Sequence, residues 1–162
     1  MSIKRLFLMA MALLEKDHVE LIKEIDTEQI YFVWRADNIL HYYIKENCFI
    51  TMKDIEEVLQ IVLGWGESNM YLHLFEGGYN SSIDTDVRAW ASSDAENKHT
   101  VADAIIVKNM AQRIVGNFYI QFNRPVKPTK LFTGTKEAIV WLQSQGGEFE
   151  KTNPNWYKQT II

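Results

Sequence analysis

The sequence predicts an α/β domain. An initial β-hairpin is followed by alternating strands and helices, giving a mixed, mostly parallel sheet with helices packed on it. Three observations carry this. Two aromatic and β-branched runs, IYFVWRA from Ile30 and ILHYYI from Ile39, are split by Asp37-Asn38, the pattern of a hairpin. Behind them, short apolar runs suited to buried strands alternate with stretches whose apolar residues recur every three or four positions. The chain has 162 residues, 47% apolar and 23% charged, enough for one ordinary core, and no Pro/Gly-rich linker or repeat divides it.

Each element follows in turn. Thr51 opens the first helix, because its hydroxyl can cap free backbone N–H groups and Asp54 suits the positive end of the helix dipole. Ile55, Val58, Leu59 and Val62 fall at i, i+3, i+4 and i+7, and Gly64 and Gly66 end the helix. MYLHLF, from Met70, is the next strand. A small polar loop then leads into DTDVRAWASSDAEN, read as a helix with Asp84 or Thr85 as its cap and Val87, Trp90 and Ala91 facing inward. ADAIIV from Ala102 suits a buried strand. Asn109 caps a third helix, whose buried face is expected to be Met110, Ile114, Val115, Phe118 and Phe122, with Pro125 and Pro128 stopping it. Lys130 to Phe132 form a brief last strand. Thr135 caps the final helix, KEAIVWLQSQ, closed by Gly146-Gly147. Right-handed crossovers would join the parallel strands.

The expected organisation is an N-terminal extension or short helix over residues 1–17, the α/β domain over 18–147, and a C-terminal tail over 148–162. In that tail Trp156 and Tyr157 either dock on the domain or belong to a free end. The nine apolar residues from Leu6 to Leu14 are too few to cross a bilayer, which takes about 20. No integral membrane segment is therefore expected. Cleavage after the small residues Ala10 and Ala12 would leave too short an apolar core for a secretory signal. Asn80-Ser81-Ser82 formally matches a glycosylation acceptor, which means little in a cytosolic chain.

Cys48 is the only cysteine, so no intrachain disulfide can form, and a cytoplasmic location is expected. Its apolar neighbours suggest a buried, inert thiol. The formal net charge of −4 argues against nucleic-acid binding. Charge is unevenly placed, however. From Met110 to Lys136 the bases Arg113, Arg124, Lys127, Lys130 and Lys136 meet no acid, which is either a basic patch or a set of solvated side chains.

The residue types and their spacing form no catalytic constellation. His18, His41, His73 and His99 are scattered, and no metal-ligand spacing accompanies them. His41 and His73 lie in apolar strands, where a satisfied or half-exposed core histidine is the plainer role; they could be neighbours across the sheet. Glu56-Glu57 read as a solvated helix face. The loop within LFEGGYNSSIDTD has paired glycines but no Gly-Lys-Ser/Thr and no GxGxxG, so neither a phosphate nor a dinucleotide site is indicated. Ser81, His99 and Asp103 can be drawn as a triad, but no nucleophile elbow presents the serine. No catalytic residue, metal site or cofactor is predicted.

ADAIIVKNMAQRIVGNFYIQFNRPVKPTKLFTGTKEAIVWL, Ala102 to Leu142, resembles the broad STAS-like superfamily of anti-sigma-factor antagonists and related domains. Within it the likeness is to a bacterial branch described as STAS/CRAL-TRIO-like. Ala104, Phe118, Pro125, Pro128, Phe132, Ala138, Trp141 and Leu142 fall in the places of that branch's pattern, and the likeness extends more loosely back to about Ile30. The resemblance implies a non-catalytic regulatory or protein-interaction domain with a protein partner. In anti-sigma-factor antagonists, a serine in a D-S-S-G-like segment after a central strand is phosphorylated by a partner kinase. The comparable junction here makes Gly77, Gly78, Asn80, Ser81, Ser82 and Asp84 the candidate interaction or phosphorylation loop. It departs from the pattern, since no Asp precedes the serines and no Gly follows them. The loop is otherwise a turn and helix cap. CRAL-TRIO domains hold lipids, so the alternative is a carrier or sensor of a small apolar ligand, which the 12% aromatic content allows. A homodimer is also expected, to cover an edge strand or Leu6 to Leu14.

Overall fold

The computed structural model describes residues 19–66, 69–94 and 96–156. The expected extension over residues 1–17, His18 and Tyr157 lie outside the described residues.

Six strands form one sheet: β1 (Leu21–Asp26), β2 (Ile30–Arg35), β3 (Ile39–Ile44), β5 (Tyr71–Gly77), β7 (Thr100–Ile106) and β8 (Thr129–Phe132), adjacent in that order. β1, β2 and β3 pair antiparallel, whereas β3–β5, β5–β7 and β7–β8 pair parallel. The sheet is thus mixed and mostly parallel, as the sequence predicts. The hairpin, however, is extended by β1, whose LIKEID carries Lys23 and Glu24 as charged edge strands do. A second, two-stranded parallel sheet joins β4 (Phe49–Ile50) to β6 (Ser82–Ile83).

The β2–β3 turn is over-determined. Buried Arg35 forks onto Asp37, with Nε donating at 3.0 Å and Nη2 at 2.8 Å. Asn38 takes a left-handed φ of 61° while its amide donates to the Met70 carbonyl at 2.8 Å.

Helices cover both faces. On one face Val58 and Val62 of α1 (Met52–Leu63) pack against Phe32, Trp34, Leu40 and Tyr42. Trp65 stacks on Trp34 with centroids 5.3 Å apart. Asp54 accepts from the Thr51 N–H and hydroxyl, securing the start of α1. On the other face Ala138, Ile139 and Leu142 of α4 (Thr135–Thr152) cover Ile39, Leu72, Leu74, Ala102 and Ala104. The two alanines leave room for that helix against the sheet.

Four expectations are corrected. The helix from Asp84 is short: α2 spans Thr85–Ala91 only, because Ser92 and Ser93 turn their hydroxyls back onto backbone carbonyls. The cap residue of α4 is Gly134, not Thr135. α4 does not stop at Gly146-Gly147 but continues to Thr152, where Phe149 and Trp156 pack edge to face at 5.5 Å on the core. Packing there overrides the weak helix preference of glycine. Finally, α3 (Met110–Phe118), continued as a π-helical turn over Tyr119–Asn123, does not bury its apolar stripe. It meets the domain through Gln112, Gly116 and Tyr119, and Met110, Ile114, Val115, Phe118 and Phe122 face solvent.

Candidate functional site

The C-terminal ends of β3, β5 and β7 and the start of α3 gather the residues of interest. Glu76, the sixth residue of β5, is 4% exposed and lies beside Tyr43 in the β3–β5 register. His41 Nε2 donates to one of its oxygens at 3.0 Å and Lys108 Nζ to the other at 2.6 Å. Burial alone would raise the Glu76 pKa, but these two donors overrule it and hold the carboxyl down at about 2. Lys108 lies over the Tyr43 ring at 5.3 Å, and burial, then Glu76, pushes the Tyr43 phenol up. A carboxylate held so far below the usual range is a poor proton acceptor at neutral pH. Its work is to tie β3, β5 and the segment leading to α3 together.

The predicted loop begins directly after Glu76. Gly78 donates its N–H to the Ile44 carbonyl at 2.8 Å, seating the loop on the end of β3. Asn80 adopts φ 54° and donates to the Asn47 side chain at 3.1 Å. The Ser81 hydroxyl donates to the Gly78 carbonyl at 2.8 Å. Ser82 is exposed and belongs to β6, with its N–H on the Cys48 carbonyl at 2.9 Å. Asp84 is the residue before α2, but its side chain makes no capping hydrogen bond. Neither serine caps a helix; they close a turn and pair a short strand. Cys48, partly buried, has its thiol pushed up by burial.

The three residues of the drawable triad go to separate partners. Ser81 turns to Gly78, His99 Nδ1 lies 3.1 Å from the Asn69 carbonyl, and Asp103 faces His73 at 3.4 Å. His41 and His73 are not neighbours either. His73 packs edge-on to Tyr42, on the face opposite His41, so each histidine meets its own carboxylate. Among the described residues no cluster of His, Cys, Asp or Glu is placed to hold a metal ion. No described helix is long and apolar enough to cross a membrane.

Two features went unforeseen. One is the Glu76–His41–Lys108 junction; its only sequence signal is a glutamate directly after the apolar run of β5. The other is the outward face of α3, a helix whose inner side ties to the loop through Gln112 Nε2, which donates to the Gly77 carbonyl at 3.4 Å. Asn109 caps α3 by accepting from the Gln112 N–H at 2.9 Å. Met110 is 71% exposed, Ile114 62% and Phe122 63%, and the Phe118 and Phe122 rings stack at 4.4 Å. Val115 on the same helix is also exposed. Scattered single apolar residues at a surface are ordinary, whereas apolar side chains grouped on one exposed helix face are not. Beside it runs an open cleft of ≈ 390 Å³ bordered by Arg113, Asn117, Lys130, Leu131 and Glu137.

Residues 33–145 match the model of a family described as Domain of unknown function (DUF7793). No curated protein matches the chain. Among solved structures it is similar to the crystal structure of an uncharacterized protein of the DUF3478 family with a SpoIIAA-like fold, from Shewanella loihica PV-4. The two are 13% identical over 76% of this chain and 93% of that one, with a TM-score of 0.46.

Proposed function

We propose that this chain, which belongs to the DUF7793 family through residues 33–145, is a non-catalytic protein-interaction domain that docks through the outward face of α3. The STAS-like resemblance implies a role of this class. One observation carries the choice of surface: Met110, Ile114, Phe118 and Phe122 recur every four residues along α3 and its π-helical continuation and stand in solvent. Stacked aromatics flanked by aliphatic side chains are the composition of an interface centre. The loop from Gly77 to Asp84 adjoins the first turn of α3 through Gln112, so the exposed Tyr79 and Ser82 belong to the same end of the domain. A phosphate on Ser82 would add negative charge there and alter docking by electrostatics.

Photo-cross-linking in the native cell tests this reading. A benzophenone side chain replaces Phe118, or Val140 on α4 as an exposed control. A discrete protein adduct from position 118 that is missing from position 140 is the expected result. No adduct at 118, or the same adducts at both positions, overturns it.

A further inference from the structure

We infer that the outward face of α3 receives an acidic, amphipathic protein segment, one with an apolar stripe bordered along one edge by carboxylates. This rests on the protein-docking reading above and adds the chemistry of the partner. The apolar part follows from the stripe itself. The acidic part follows from where the cations lie.

With about 100° between successive residues of a helix, Arg113 falls on the edge of the stripe next to Met110. Arg113 and Lys130 line the same cleft along that edge, so the border is a property of the folded surface and not only of the sequence. Arg124 and Lys127 follow in the segment between α3 and β8. The single carboxylate among the residues bordering the cleft is Glu137. Its oxygen lies against Gly134, within 2.2 Å of where a β-carbon there would stand, at the positive end of the α4 dipole. Arg113 and Lys130 therefore border the cleft against one carboxylate that is held at its own helix start, and the stretch from Met110 to Lys136 adds no acid. The opposite edge of the stripe, Ala111 and Val115, is exposed and uncharged.

This one-sided border separates a protein partner from a lipid surface. A helix lying in a membrane interface spreads its cations over the polar face opposite the apolar one. In α3 the positions opposite the stripe are Gly116 and Tyr119, both buried against the domain. A partner with carboxylates beside its own apolar stripe would pair with Arg113 and Lys130 in one orientation only. The chain as a whole carries a formal net charge of −4, so this edge is also the local exception that would guide such a partner to the right place.

Selection from a display library of random 16-residue peptides, against the full chain, tests the inference. Enriched peptides should combine apolar residues at helical spacing with Asp or Glu on one side. Binding should fall at least tenfold with Phe118→Ser plus Phe122→Ser, and about three- to tenfold with Arg113→Gln plus Lys130→Gln or in 0.5 M NaCl. Circular dichroism checks that these surface variants stay folded. Peptides that are apolar without acid, yet still lost with the Phe118 and Phe122 changes, overturn the acidic partner and leave the docking surface standing. Peptides indifferent to the Phe118 and Phe122 changes overturn both. No enriched peptide likewise overturns both, whether the chain then binds vesicles of 30% phosphatidylglycerol in phosphatidylcholine, forms Phe118-dependent dimers in sedimentation, or does neither.

Discussion

A β-carbon placed on Gly116 would stand 3.0 Å from both terminal methyls of Leu131. Helix α3 therefore meets β8 through a residue with no side chain, and this close approach fixes which way the helix is turned. With Gly116 against the sheet, Ile114 and Phe118 on neighbouring positions must point away.

Replacing Gly116 by valine should destabilise the domain by about 1–3 kcal/mol, the usual range for overpacking a filled contact. Alanine should cost less, because its better helix propensity, up to about 1 kcal/mol, offsets part of the clash. Urea denaturation of the three proteins measures both. A valine variant as stable as the wild type would mean that α3 does not sit on Leu131.

The outward stripe should be nearly free of stabilising work. Phe118→Ser plus Phe122→Ser is expected to change stability by no more than about 0.5 kcal/mol per site, as for surface substitutions in general. Binding of a hydrophobic dye should drop. A loss of several kcal/mol would show that these rings pack against the domain.

Glu76 makes stability depend on acid. Its folded pKa of about 2 lies below the ordinary value of 4.5, so its contribution is fully present above pH 4.5 and is lost as the pH falls toward 2. A fall from 4.5 to about 2 corresponds to about 3 kcal/mol. Between pH 5 and pH 2 the wild type should lose about that much more stability than Glu76→Gln, measured by denaturant titration at each pH. Parallel curves for the two proteins would refute the junction with His41 and Lys108.

Asn38 holds two requirements in one residue. Its φ of 61° favours Asn or Gly, and its side chain accepts from Trp34 Nε1 at 3.3 Å and donates to the Met70 carbonyl. Asn38→Ala loses both the conformation and the bonds and should cost about 2–4 kcal/mol; Asn38→Gly loses only the bonds and should cost less. Thermal denaturation ranks them. The reverse order would mean that the turn is not held in the left-handed region.

What was legible in the sequence is what local chemistry decides. The Asp37-Asn38 break, the cap at Asn109 and the inward Val58 and Val62 follow from turn residues, a side-chain acceptor and helical period. The candidate loop follows the strand the sequence predicts, but its serines close a turn and pair a short strand and cap no helix. Ser81 turns locally onto Gly78, whereas the Ser82 partner, Cys48, is set by how β4 meets β6 in space. The orientation of α3 is likewise not set locally. Periodicity finds an apolar stripe but does not say which side the protein turns inward, and Gly116 decided that. Glu76 was hidden because its two partners come from β3 and from beyond β7.

The two glycines that open the candidate loop should behave differently, although nothing local distinguishes them. A β-carbon on Gly78 would meet the Ile44 carbonyl oxygen at 2.7 Å and the Glu46 nitrogen at 2.8 Å, both backbone atoms fixed at the end of β3. On Gly77 it would meet the Ser81 hydroxyl at 3.1 Å and the Gln112 amide at 3.2 Å, both side-chain ends that can move. Gly78→Ala must therefore lift the loop off β3, breaking the Gly78–Ile44 hydrogen bond and costing about 2 kcal/mol or more. Gly77→Ala should cost less than about 1 kcal/mol, since rotating two side chains relieves it. Amide hydrogen exchange distinguishes these outcomes at residue level. In Gly78→Ala the Gly78-to-Ser82 amides should exchange faster while β7 is unchanged, and in Gly77→Ala the loop should keep its protection. Equal protection in both variants would show that the loop is not anchored on Ile44.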